Sequence, residues 1–223
     1  MKFKDEIERV QNKLLQVVGN SGVKIRKIKI YINGLYGKFE NAEYALDKIK
    51  EITQETGTYS AYKPEIDPEI HFYVDSFFAF LYSCFDVLAQ ILNQYYEELN
   101  RLNFKEKQIS FKRILYEIKD NQLNLPVNAE FEKVVSSRYF RNLDKYRNCS
   151  THKHQIYIER QQTTVSVTSG YTFTGELPTI QWIICDDPLK LKPSIKQRRD
   201  LYNFSKRMYD NIKEKIENII NVI

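Results

Sequence analysis

The stretch FYVDSFFAFLYSCFDVLAQIL, residues 72–92, decides the architecture. It is the longest apolar run in the chain, interrupted by the charged Asp75 and Asp86. Twenty-one residues without Gly or Pro read as a helix, here predicted from about Pro68 to Leu102. The two carboxylates argue for a helix buried in a protein core rather than a membrane span. Asp75, Ala79/Tyr82, Asp86, Gln90 and Asn93 recur near multiples of 3.6 residues. They draw one polar line down an otherwise apolar cylinder.

Outward from this helix, more helical spacing appears. Phe3, Ile7, Val10, Leu14 and Val17/Val18 predict a first helix, stopped by Gly19-Asn20-Ser21-Gly22. Val23 to Ile32 alternates apolar and basic residues and fits a short strand or the start of a helix equally well. Gly37 to Thr56 predicts a helix with Phe39, Ala42, Ala45/Leu46, Ile49 and Ile52 on one face. A polar loop from Gly57 follows, broken by Pro64 and Pro68. Gln108 to Asp120 predicts another amphipathic helix. Asn128 is read as the N-cap of a helix running to about Asn148, with Phe131, Val134/Val135, Tyr139 and Leu143 as its apolar stripe.

After His154 the composition shifts to Ile, Val, Thr, Tyr and Phe. Ile156–Ile158, Thr163–Thr174 and Thr179–Cys185 predict an antiparallel ribbon of two or three strands, with turns at Ser169-Gly170 and Gly175–Pro178. Pro188 and Pro193 close it, and Ser194 is read as the cap of a last helix to Ile223. The expected fold is therefore mainly α, a helical bundle with a small antiparallel β ribbon inserted before the last helix. It reads as a single domain over 1–223: an N-terminal helical extension over 1–66, bundle helices over 67–154, a β insertion over 155–188 and the last helix over 194–223.

Composition limits the function classes. The 223 residues (26.6 kDa) are 42% hydrophobic, with 16 Tyr, 13 Phe and only 7 Gly and 6 Pro, which supports a real core and argues against disorder. The formal charge of +5 permits nucleic-acid binding without demanding it. Three widely spaced cysteines, with no CxxC pair, give no zinc site and suit a reducing cytosol. The N-terminal MKFKDEIERVQNKLL has acids and no apolar core, so it is not a signal peptide, and a cytoplasmic location is expected. No GxGxxG, Walker loop or HExxH occurs, so neither a metal nor a cofactor is expected.

Polar residues of catalytic type gather in YFRNLDKYRNCSTH, residues 139–152. Arg147 and Asn148 stand where the predicted helix gives way to small polar residues, and His152 follows with four residues between it and Arg147. This resembles the R-x(4–6)-H motif of the HEPN superfamily, in which the Arg is usually followed by a polar residue. The resemblance implies a bundle of four or five helices with the motif at a helix end. The strands before the last helix depart from the minimal pattern and point to a decorated subgroup. His154 also fits the allowed spacing; His152 is preferred because it lies nearer the helix end. Arg141-Asn142 repeats the dipeptide without a His at the right distance. Cys149 lies inside the motif, but nothing else suggests acyl transfer.

The resemblance further implies that Asp75 or Asp86 holds Arg147 in a charge-assisted hydrogen bond. It implies metal-independent cleavage of RNA through the ribose 2′-hydroxyl, with His as the base and Arg facing the phosphate. Tyr146 is a candidate for stacking on a base, and Lys196, Arg198 and Arg199, read as part of the last helix, for tracking the backbone. Family members usually pair two motifs in a homodimer. They often serve as toxins or anti-phage effectors, some held in check by an antitoxin or other regulatory partner. A non-catalytic RNA- or protein-binding scaffold is the alternative expectation. No membrane partner is expected.

Overall fold

The computed structural model describes residues 22–55, 66–96, 109–152, 156–169, 173–189 and 194–223, with 12, 99 and 102. The helix expected over Phe3 to Val18 and the loop after Thr56 lie outside the described residues.

The described chain is mostly helical: α1 (Gly22–Glu55), α2 (Ile66–Tyr95), α3 (Phe111–Asp120), α4 (Asn128–Ser136), α5 (Arg138–His152) and α6 (Leu201–Val222). A three-stranded antiparallel sheet, β1 (Ile158–Ser169), β2 (Phe173–Cys185) and β3 (Arg198–Asp200) in the order β1-β2-β3, comes before the last helix, as the sequence predicts.

The alternating stretch Val23–Ile32 is helical, and α1 runs unbroken for 34 residues. Ile28, Ile32, Leu35, Phe39, Ala42, Leu46 and Ile49 are all buried, while Ile30 is 60% exposed. Their spacing of three and four residues is the helical register, and it overrides the local period of two. α2 is long and apolar enough to cross a membrane over Pro68–Tyr95. It is a core helix, however, with Val74, Phe77, Phe78, Leu81, Phe85, Leu88 and Leu92 fully buried.

Several boundaries differ from expectation. Asn128 does not cap α4. The cap position is Val127, and Asn128 instead turns its Nδ2 back to donate to the Leu123 carbonyl at 2.7 Å. The helix expected from Ala129 to Asn148 is two helices, because Ser137 takes an extended ψ of 131°. Tyr139 is only half-buried, and Phe140 takes its place in the core. Gly175–Pro178 is no turn: it lies inside β2, with Val167 opposite Gly175 and Thr164 opposite Pro178. The last helix begins at Leu201 rather than after Ser194. Ser194 caps a short 3-10 turn, Ile195–Gln197, and Asp200 receives the Asn203 N–H at 2.8 Å at the start of α6.

The chain forms two compact units: Met1–Asn41, Phe80–Arg141 and Asp210–Ile223 make the first, Ala42–Ala79 and Asn142–Tyr209 the second. An aromatic cluster fills the first. Phe111 lies 4.9 Å from Phe85, 5.4 Å from Phe131 and 5.6 Å from Phe140 between ring centroids. Edge and tilted contacts at these distances are the favoured aromatic geometries. Tyr95 donates to the Ile223 carbonyl at 2.8 Å and fastens the end of the chain. The second unit carries the sheet and the motif half of α5. Trp182, Ile183, Ile184 and Cys185 are four consecutive buried residues, so both faces of β2 are covered at this end.

Candidate functional site

α5 is amphipathic through the motif. Asn142, Leu143, Tyr146 and Cys149 are buried, whereas Asp144, Lys145, Arg147, Asn148 and Ser150 are half-exposed. This is the i, i+3, i+4 division of a helix lying on a core.

Two buried side chains and half-exposed Lys145 fasten α5 to the end of β2 and the chain just after it. The Tyr146 hydroxyl donates to the Cys185 carbonyl. Cys149 Sγ donates to the Pro188 carbonyl at 3.3 Å. Lys145 Nζ lies 3.6 Å from Asp187 Oδ1. The Tyr146 ring is fully buried, stacked on Phe78 at 4.1 Å and 7° between planes, with Phe204 at 5.7 Å. Burial pushes its phenol well above the ordinary tyrosine range, so it remains a protonated donor. Tyr146 is therefore a core residue and not a platform for a base, because Phe78 already occupies its face.

The opposite side of α5 carries the motif. Arg147 Nη1 donates to Asn148 Oδ1 at 3.0 Å. The helix does not stop at Asn148 but continues through Cys149, Ser150 and Thr151 to His152. Cys149 is anchored on Pro188, and Ser150 Oγ bonds back to the Arg147 carbonyl at 3.3 Å, which accommodates a serine inside a helix. On a continuous helix His152 sits one turn beyond Asn148 on the same face, and about 140° round from Arg147. Asn148 thus links the two by position. The side chain of His152 and the whole of His154 lie outside the described residues. Asp144, one turn before Arg147 and Asn148, belongs to the same polar face, and its Oδ1 is buried. Its spacing of three and four residues made it legible in the sequence, but the R-x(4–6)-H pattern begins only at the Arg.

The acids of α2 do not behave as expected. Asp75 Oδ1 is buried with no hydrogen-bond partner, and burial raises its carboxyl above the ordinary value. A guanidinium bonded to it would lower it instead. Asp86 Oδ1 accepts the Phe111 N–H at 3.2 Å and serves the start of α3 in the first unit. Of the basic set, Lys196 is exposed on the 3-10 turn, while Arg198 and Arg199 belong to β3 rather than to the last helix. Arg198 faces Glu159 at 3.5 Å, and Arg199 meets Asp186 at 2.9 Å and two main-chain carbonyls at 2.8 Å. These contacts make Arg199 a brace for the sheet edge. Cys149 is buried and donates its proton to a carbonyl, which rules it out as an exposed nucleophile. Among the described residues, no group of three His, Cys, Asp or Glu is placed to hold a metal ion.

Asp75 gives a pH prediction. Its folded-state pKa is raised, so the unfolded chain releases the proton first as pH rises. Stability therefore falls from the ordinary Asp value of 3.8 upward, until the folded carboxyl has also ionised. Asp75→Asn is expected to raise the melting temperature at neutral pH by a few degrees. The gain should fade at acid pH, where the carboxyl is neutral in both states. Thermal unfolding of both proteins across this range checks it; a variant less stable than wild type at neutral pH contradicts it.

The family described as HEPN_Cthe2314-like HEPN matches the chain over residues 50–216. No curated protein and no solved structure matches it.

Proposed function

The chain belongs to the HEPN_Cthe2314-like HEPN family, and from that premise we propose that it is a metal-independent endoribonuclease. Membership itself points to a nuclease or RNA-related role. The finer reading is carried by one observation: the Arg147–Asn148 pair, joined at 3.0 Å, stands on the half-exposed face of a helix whose other face is locked into the core.

The chemistry follows from residue type. The 2′-hydroxyl of the substrate attacks the adjacent phosphorus. His152 accepts the hydroxyl proton, since an imidazole is a base near neutral pH. The bond to the 5′-oxygen breaks, and that oxygen takes up a proton as it leaves. Arg147 faces the phosphate oxygens and stabilises the charge that builds up in the transition state. Asn148 steers the guanidinium by accepting one of its N–H groups. One chain offers one motif imidazole as the base. In a homodimer with two facing motifs, the second His152 supplies the proton to the leaving oxygen. Family resemblance supports a role as a toxin or anti-phage effector restrained by an antitoxin or other regulatory protein.

The test is incubation of the protein with total RNA and tRNA in EDTA, followed by analysis of the fragment ends. Fragments ending in 2′,3′-cyclic phosphate are expected. Intact RNA that is nevertheless bound would favour a non-catalytic RNA-binding scaffold.

A further inference from the structure

Arg141-Asn142 repeats the motif dipeptide, and the proposed cleavage leaves Arg141 unused. Arg141 lines instead a cleft of about 1020 Å³ formed by α3, α4 and the turn that joins them, all within the first unit. The cleft is mainly apolar. Ile118 and Phe131 are buried in its wall, and the large side chains of Tyr116 (59%) and Val135 (42%) stand exposed beside them. The charges of α3 and α4 fall into two groups. Arg113 pairs with Glu117 at 2.5 Å and Lys133 with Glu130 at 2.6 Å, and none of the four lines the cleft. Lys119 and Arg141 do line it, are exposed, and form no ion pair among the described residues. Glu132 is the one acid of the described lining. The turn is firmly built. Gln122 takes the left-handed conformation with φ 51°, and its N–H reaches the Lys119 carbonyl at 3.3 Å. The Leu123 N–H donates to the Ile118 carbonyl at 2.9 Å, and Asn128 Nδ2 holds the Leu123 carbonyl at 2.7 Å. A non-glycine residue keeps that conformation where its surroundings hold it, so this side of the cleft is formed before any ligand arrives.

A mainly apolar wall with an excess of unpaired cations complements a ligand that is apolar and negatively charged at once. The volume stands at the upper limit of small-molecule sites and suits such a ligand better than a protein surface. We propose that this cleft binds a medium-chain carboxylate, a small organic acid with a hydrocarbon body. The chain covers Ile118, Phe131, Tyr116 and Val135 and removes their apolar surface from water. The carboxylate is taken by Arg141, whose planar fork matches two carboxylate oxygens, and Lys119 adds a second positive charge. Neither half of the ligand suffices. A bare anion leaves the apolar wall in water, and a bare hydrocarbon leaves the two cations without a partner. The cleft shares no residue with the proposed catalytic set, so its ligand is read by binding and not by RNA cleavage, and either reading can fail alone.

The test is isothermal titration calorimetry of the full chain with decanoate, well below its micelle concentration. One site with a dissociation constant on the order of 0.1 mM is expected. Decanol keeps the chain without the charge, and acetate keeps the charge without the chain; each is expected to bind at least about tenfold more weakly. Arg141→Gln and Val135→Asp are each expected to weaken decanoate about tenfold, the first by removing a charged donor and the second by placing a carboxylate on the apolar wall. Arg138→Gln, on the same helix as Arg141 but outside the lining, is expected to leave binding unchanged. All three positions are exposed, and circular dichroism confirms that the variants fold. Absence of decanoate binding overturns the proposal. So does decanol or acetate binding as tightly as decanoate, or an affinity that Arg141→Gln and Val135→Asp leave unchanged, or that Arg138→Gln lowers as much as they do.

Discussion

Arg147→Ala is expected to lower RNA cleavage by about 10²–10³-fold, the usual cost of removing one charged donor that stabilises a developing oxyanion. His152→Ala is expected to cost about 10²–10⁴-fold, the range for loss of a general base. Neither should unfold the protein. Arg147 is half-exposed and bonds to the neighbouring Asn148. Arg147→Lys separates charge from geometry. It keeps the positive charge and loses the planar fork, so it should recover only part of the activity. Initial rates on tRNA in EDTA, with circular dichroism as a folding control, decide the matter. Equal rates in wild type and both alanine variants would move the catalytic centre elsewhere on the protein.

Tyr146→Ala carries the largest expected stability cost. The ring is fully buried between Phe78 and Phe204, and its hydroxyl serves the Cys185 carbonyl. Truncating a core aromatic of this kind costs about 4 kcal/mol. For a chain of this size that is a fall of about 8–16 °C in melting temperature. Tyr146→Phe keeps the stack and removes only the donor. It removes the hydrogen bond to the Cys185 carbonyl and should cost about 1 kcal/mol. Thermal or urea unfolding distinguishes the two contributions. A Tyr146→Phe variant as unstable as Tyr146→Ala would mean that the hydrogen bond, and not the stack, holds the motif helix.

The long helices were legible because their buried stripes are long: α1 and α2 repeat the helical period for many turns. Where the signal was short, it misled. Val23–Ile32 alternates like a strand, but the register set by Leu35 through Ile49 extends back through it. Gly175–Pro178 has turn residues, yet pairs with β1. Pro178 is tolerated there because β3 pairs β2 only at Ile183–Cys185, so no third strand needs a donor from residue 178. Ser194 is a real cap whose helix is only a 3-10 turn long. At the site, the Arg147–Asn148 neighbourhood could be read from the motif. The partners of Asp75, Asp86, Arg198 and Arg199 could not. Ion pairs such as Arg199–Asp186 depend on which strand edges meet, and local spacing carries no record of that.

The fastening of α5 has an evolutionary consequence. Two of its three attachments end on main-chain carbonyls, those of Cys185 and Pro188. Every amino acid supplies a carbonyl, so this acceptor side is indifferent to side-chain identity as long as the backbone keeps its path. The burden falls on the donors, Tyr146 and Cys149, whose side chains have few substitutes. Lineages that inherit this arrangement are free to vary the hairpin and the chain that follows it, while the inner face of the motif helix stays nearly fixed.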